Sequence, residues 1–137
     1  MINAISSAVS GLTTQSTKLA VGALNVANAG TKGSLDPSAA SQAYEAREVL
    51  SVSTTQDGVT GGVRPEIRVR APATTIAYQP DSQLANEDGF VGIPNVNLSE
   101  ELTNNLQAAQ AYKANAQIIS TVKDMYEELL NVVDTKA

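Results

Sequence analysis

Few residues in this sequence could do chemistry. There is no His and no Cys in 137 residues, which removes Ser-His-Asp and Cys-His triads, thiol chemistry and most transition-metal sites. Glu87 and Asp88 sit together before Gly89, as turn residues do. A calcium loop needs alternating ligands and a distant Glu, and that spacing is missing. Gly30-Thr31-Lys32-Gly33 superficially matches a phosphate loop, but the G-x-x-x-x-G-K-[ST] spacing is absent and the stretch follows a helical pattern rather than a strand. Asn97-Leu98-Ser99 is a glycosylation sequon by letters, yet a role as helix cap is sufficient for Asn97. Arg64, Arg68 and Arg70 form a basic stripe on an alternating stretch. A solvated face is its simplest reading, and a salt-bridged contact with an acidic patch on another subunit is the sharper one. Tyr112 and Tyr126 fall on a helical seam and read as packing residues rather than a stacking platform. No acid–base pair assembles, so the sequence predicts no enzyme, no cofactor and no metal site.

The elements around these residues carry more information. From Pro94 onward one amphipathic helical pattern runs almost to the C-terminus without Pro or Gly. Asn97 is placed to cap it, with Glu100 three residues on for a capping box, and Glu100 and Glu101 suit the helix dipole. One seam runs Leu98, Leu102, Asn105, Ala109, Tyr112, Ala116, Ile119, Lys123, Tyr126, Leu130, Val133, with spacings alternating between four and three. A second seam lies beside it: Ala111, Ala114, Ile118, Val122, Met125, Leu129, Val132. Residues 2 to about 27 form the other long helix, with the seam Ile2, Ile5, Val9, Leu12, Ser16, Leu19, Ala23, Val26 in heptad rhythm. Asn28 and Gly30 offer a left-handed cap at its end.

Between the helices the character changes. Residues 31–43 read as a loop, mobile in a free subunit. Residues 44–79 read as a small antiparallel β unit of two or three strands, which is barely stable alone and leans on the helices or on a neighbour. Residues 80–96 read as an extended connector with a turn at Asn86–Gly89 and apolar anchors Phe90, Val91 and Ile93. The expected fold is mainly α with a small β insertion. Its two long terminal helices form an antiparallel, coiled-coil-like hairpin, with an extended arm and a short β unit in the middle. The division is 1–30 and 97–137 as a terminal-helix assembly domain, and 31–96 as loop, β unit and arm. One seam suffices for the N-terminal helix, so the second seam of the C-terminal helix needs a partner this chain does not supply. The candidate packing residues are Ile5, Val9, Leu12, Leu19 and Val26, with Leu102, Tyr112, Ile118, Ile119, Met125, Tyr126 and Leu130.

Composition fits assembly better than a solitary domain. Aromatic residues are 4% of the chain and Trp is absent, so a core of small side chains buries little area and contributes little. Assembly is a natural source of the missing burial. The net charge of −5 argues against nucleic acid or an anionic membrane as partner. No apolar run reaches the roughly 20 residues of a membrane span, and the N-terminal stretch lacks the basic start of a secretory signal.

Local motifs then narrow the class. Asn25-Val26-Ala27-Asn28-Ala29-Gly30-Thr31 resembles the N-x-A-N-x-x-T signature of flagellar axial proteins. Tyr78-Gln79-Pro80-Asp81, Glu87-Asp88-Gly89-Phe90-Val91 and Pro94-Asn95-Val96-Asn97 resemble the segment before the last helix in proximal-rod subunits. Ala111-Tyr112-Lys113-Ala114-Asn115 and Lys123-Asp124-Met125 resemble motifs inside that helix. The marked positions are Asn25, Ala27, Asn28, Thr31, Gly89, Phe90, Pro94, Asn95 and Asn97. The likeness covers the whole length and is weakest over 32–60. It implies a subunit of the periplasm-spanning rod of the flagellar basal body, exported by the flagellar type III apparatus without a cleaved signal peptide. It implies partners that are further copies, other rod proteins, the base ring and export-gate adaptor proteins. It implies no nucleic acid and no membrane insertion.

Overall fold

The computed structural model describes residues 2–36, 38–56 and 59–134. The two periodic stretches are helices: α1 spans Ile2–Asn28 and α2 spans Leu98–Asp134, at 27 and 37 residues. Asn97 caps α2 as expected, its Oδ1 accepting from the backbone N–H of Ser99 (3.0 Å) and Glu100 (3.3 Å). Glu100 stays exposed, and it is Glu101 that turns inward. α1 ends differently from expectation. Gly30 is not in the left-handed region, where only Gly62 and Gly89 are found among the described glycines. Instead Asn28 Nδ2 donates to Leu24 O (2.8 Å), and Asn28 O accepts from both the N–H and the hydroxyl of Thr31 (3.0 and 2.8 Å). Side-chain hydroxyls and amides here do what a glycine cap does elsewhere.

The helices pack antiparallel, with Gly11 against Asn115 and Gly22 against Asn105. Their line of contact departs from the one read in the sequence. α1 buries Ala8, Gly11, Gly22 and Asn25, each one residue before Val9, Leu12, Ala23 and Val26 of the anticipated seam. One residue is about 100° around a helix. On α2 the line is Glu101, Asn105, Ala108, Asn115, Ile119 and Val122, which keeps the heptad spacing, but only Asn105 and Ile119 come from the first anticipated seam and Val122 from the second. The reason is steric. A Cβ at Gly11 would stand 2.6 Å from Asn115 Nδ2, and one at Gly22 would collide with Asn105. Small positions let the two backbones approach closely, and the larger aliphatic side chains are displaced to the flanks.

The insertion is two separate ribbons rather than one sheet. β1 (Arg47–Gln56) and β2 (Val59–Val69) form an antiparallel hairpin, with Arg47 opposite Val69 and Val52 opposite Arg64. The tip residues Asp57 and Gly58 of the expected turn lie outside the described residues. The hairpin lies along α1: Val63 N–H donates to Ser10 Oγ (3.2 Å), and a Cβ at Gly62 would collide with the same hydroxyl. β3 (Thr74–Tyr78) pairs with β4 (Phe90–Pro94), with Ile76 opposite Gly92 and Tyr78 opposite Phe90. β4 belongs to the stretch read as a connector. The turn that brings it back is built by Asn86, whose Oδ1 accepts from the N–H of Asp88 and Phe90, and by Gly89 at φ +81°. The 31–43 segment is not free: Gly33 and Gly92 exchange two backbone hydrogen bonds of 2.9 Å, and Ser34 N–H donates to Ser41 O (2.7 Å). Among the described residues, no helix is long and apolar enough to cross a membrane.

Two measurements check this packing. Gly22→Leu forces an added side chain into Asn105 and should lower stability by about 1–3 kcal/mol in urea unfolding, part of which Asn105→Ala in the same chain recovers. Asn97→Ala removes the α2 cap and should cost about 1 kcal/mol in the same assay.

Candidate functional site

Among the described residues, no acid–base or nucleophilic cluster comes together. Among the described residues, no group of three or more His, Cys, Asp or Glu could hold a metal ion. Glu87 and Asp88 are exposed in the Asn86 turn. Asp36 is held below the ordinary carboxylate range by the hydroxyl and backbone N–H of Ser38, and Lys123 is held above its ordinary value by its hydrogen bond and ion pair with Glu127. Both pairs are local surface contacts. The arginine stripe is divided: Arg68 pairs with Glu66 at the surface (2.7 Å), Arg64 points outward, and Arg70 reaches inward to Glu101 (2.7 Å).

What the molecule does present is unburied apolar surface. Leu98, Leu102 and Leu106 are exposed along one flank of α2, Leu106 to 67%. Ile118, Met125, Leu129 and Val132 are exposed as well. Leu102 and Ile118, sixteen positions apart, point roughly 160° away from each other. The two apolar flanks of α2 therefore face nearly opposite directions, with the α1 contact between them. On α1, Val9 and Leu24 are exposed, while Ile5, Leu12, Leu19 and Val26 are half-buried at the edge of the helix–helix contact. Ile119 is half-buried towards α1; Tyr112, Tyr126 and Leu130 are exposed, Leu130 to 65%. The side chains of Ile2 and Val133 lie outside the described residues. Because Gly11 sits opposite Asn115, α1 begins near position 124 of α2, and α2 runs on for about ten residues, roughly 15 Å.

Behind this surface lies a buried polar joint. Asn25, 1% exposed, donates from Nδ2 to Arg47 O (2.7 Å) and Glu101 Oε1 (3.2 Å). Its Oδ1 accepts from Arg47 N–H and the Tyr44 hydroxyl, each at 3.1 Å. Glu101 Oε1 also accepts from Arg70 Nη2, and Arg70 Nη1 reaches Asn95 O (3.4 Å). The first turn of α2, the end of α1, both ends of the hairpin and the arm meet within this cluster. An open cleft of about 460 Å³ runs beside it, lined in part by Lys18, Arg47, Glu48, Asn104 and Gln107. The motif positions serve this scaffold. Asn25 is its centre, Asn28 and Thr31 end α1, and Ala27 is exposed. Gly89 turns the chain, and Phe90 meets Tyr78 edge-on at 5.4 Å. Pro94 is buried, Asn95 Nδ2 donates to Pro72 O (3.0 Å), and Asn97 caps α2. Sequence reading missed Tyr44, Arg47 and Glu101 as members of the joint. A carboxylate in a first turn looks like dipole compensation, and only the fold brings Arg70 to it.

Similarity to known proteins extends along the whole chain. The family model for the flagellar basal-body rod FlgEFG protein C-terminal region matches residues 87–132. The flagellar basal-body rod protein FlgC of Escherichia coli O6:H1 is 34% identical over 134 residues, covering 96% of this chain and 97% of that protein. The proteins of the same name from Yersinia enterocolitica and Salmonella typhimurium are 34% and 33% identical over the same coverage. With its terminal helices, its C-terminal match and this end-to-end similarity, the chain belongs to the flagellar basal-body rod protein family of the FlgC type.

Proposed function

We propose that this protein is a structural subunit of the flagellar proximal rod, assembling with further copies and other axial proteins into the shaft that carries motor torque across the periplasm. The observation that carries the reading is the pair of opposed apolar flanks on α2, in a chain similar over its whole length to rod proteins. A helix with one partner needs one seam; α2 has its α1 contact and two further flanks, which suits a packing element of a tube. In this reading, residues 1–30 and 97–137 are the assembly part. Leu98, Leu102 and Leu106 seat one neighbour, and Ile118, Met125 and Leu129 seat another. Base-ring and export-gate adaptor proteins meet the subunits at the rod base, and the chain is exported without a cleaved signal. The protein acts by shape and stiffness, without catalysis.

Leu102→Asp and Leu106→Asp test this without disturbing the subunit, since both side chains already face solvent. Each should change the stability of the free protein by no more than about 0.5 kcal/mol. Each should also abolish its recovery in purified basal bodies and abolish swimming, with export intact. Normal incorporation and motility of both variants would sink the reading. Ile119→Asp is a poorer probe, because Ile119 is half-buried at the α1 contact.

A further inference from the structure

The polar joint does more than satisfy its own groups. The side chain of Glu101 is 5% exposed and that of Arg70 is 20% exposed. Among the described residues, no buried side-chain nitrogen or oxygen lacks a partner. Asn25 holds Arg47 by both its N–H and its C=O, as a neighbouring strand would, so α1 supplies a substitute for a ladder partner at the first residue of β1. The second donor hydrogen of that amide and the Arg70 guanidinium are both taken by one carboxylate oxygen, and that carboxylate belongs to α2. If the first turn of α2 unwinds, Glu101 leaves. A largely buried guanidinium one residue past β2 and an amide hydrogen on α1 then lose their acceptor. Burying such donors unpaired is costly, and the charged one is the costlier. The structure can avoid this cost by lifting the hairpin off α1.

We infer that Asn25, Arg70 and Glu101 form a latch that makes docking of the β1–β2 hairpin on α1 conditional on a folded first turn of α2. The coupling is reciprocal by linkage: a docked hairpin stabilises the first turn of α2 to the same extent. Leu98 and Leu102 stand on that same turn and are exposed. A neighbour seated on them, which is the rod reading proposed above, would hold the turn and so hold the hairpin. The latch itself resides in the free subunit and is tested there, so failure of the rod reading would leave it standing.

The test is hydrogen–deuterium exchange on the full chain, comparing wild type with Glu101→Ala, Asn25→Ala and the double variant. In Glu101→Ala, amides of β1 and β2 should exchange roughly tenfold faster or more, while those of α2 from Ala108 to Val122 change by less than about threefold. Asn25→Ala should act similarly, and the double variant should exceed neither single variant by much, because both break one network. Should Glu101→Ala fail to fold by circular dichroism, Glu101→Gln keeps an acceptor without the charge and should give a smaller acceleration confined to the hairpin. Unchanged hairpin exchange in the folded Glu101 variant would overturn the latch. So would equal acceleration along α2, or effects of the two alanine variants that simply multiply.

Discussion

One buried amide governs how this subunit is put together. Asn25 lies on the face of α1 that meets α2, and all four of its hydrogen-bonding directions are used. An aliphatic residue there would pack equally well against a helix, but it could not address a strand backbone, a tyrosine hydroxyl and a carboxylate together. Hydrogen bonds in such a closed site are directional and expensive to leave unmade. They therefore set orientation where apolar contact alone would allow sliding. The hairpin contributes its first residue and the one just after its last, α2 its first turn, and the arm a carbonyl, so a single side chain sets the relation between the helical and β parts.

The same preference for small and polar contacts explains what faces outward. Among the described residues, the buried aliphatic side chains are all Ala or Val: Ala8, Val21, Ala46, Val91, Ala108 and Val122. The leucines and most of the larger aliphatics stand at the flanks or in solvent. For an isolated domain this is a poor use of hydrophobic side chains, because their burial is the main favourable contribution to folding. For a subunit of a tube it is economical. Gly11 and Gly22 close the helix pair tightly, and the flanks that this leaves exposed supply the area for lateral packing.

This division also bears on stiffness. A subunit that carries load must hold its helices and its insertion in a fixed relation. The hairpin is joined to α1 along its length by β2 and at its base by the ionic cluster. At the far end the β3–β4 ribbon is tied to the 31–43 segment through Gly33 and Gly92. Each part of the insertion thus returns to a helix or to a strand anchored by one. The insertion is not a free outgrowth.

The terminal helices, their heptad spacing, the Asn97 cap, the turn at Asn86–Gly89 and the family were all legible in the chain alone. Those features depend on local spacing, on residue type and on motifs that sit within a few positions of one another. Other features came only with the tertiary structure. Which line of each helix faces the other depends on how closely two backbones can approach, and that favours Gly and Asn over the leucines that mark a seam by hydrophobicity. The pairing of Phe90–Pro94 with Thr74–Tyr78 depends on a turn that places distant residues in register. The meeting of Asn25, Arg70 and Glu101 joins positions up to 76 residues apart, and no periodicity marks such a contact in advance. The residues were legible one by one as a cap, a stripe and a first-turn acid, and their partnership exists only once the chain has folded back on itself.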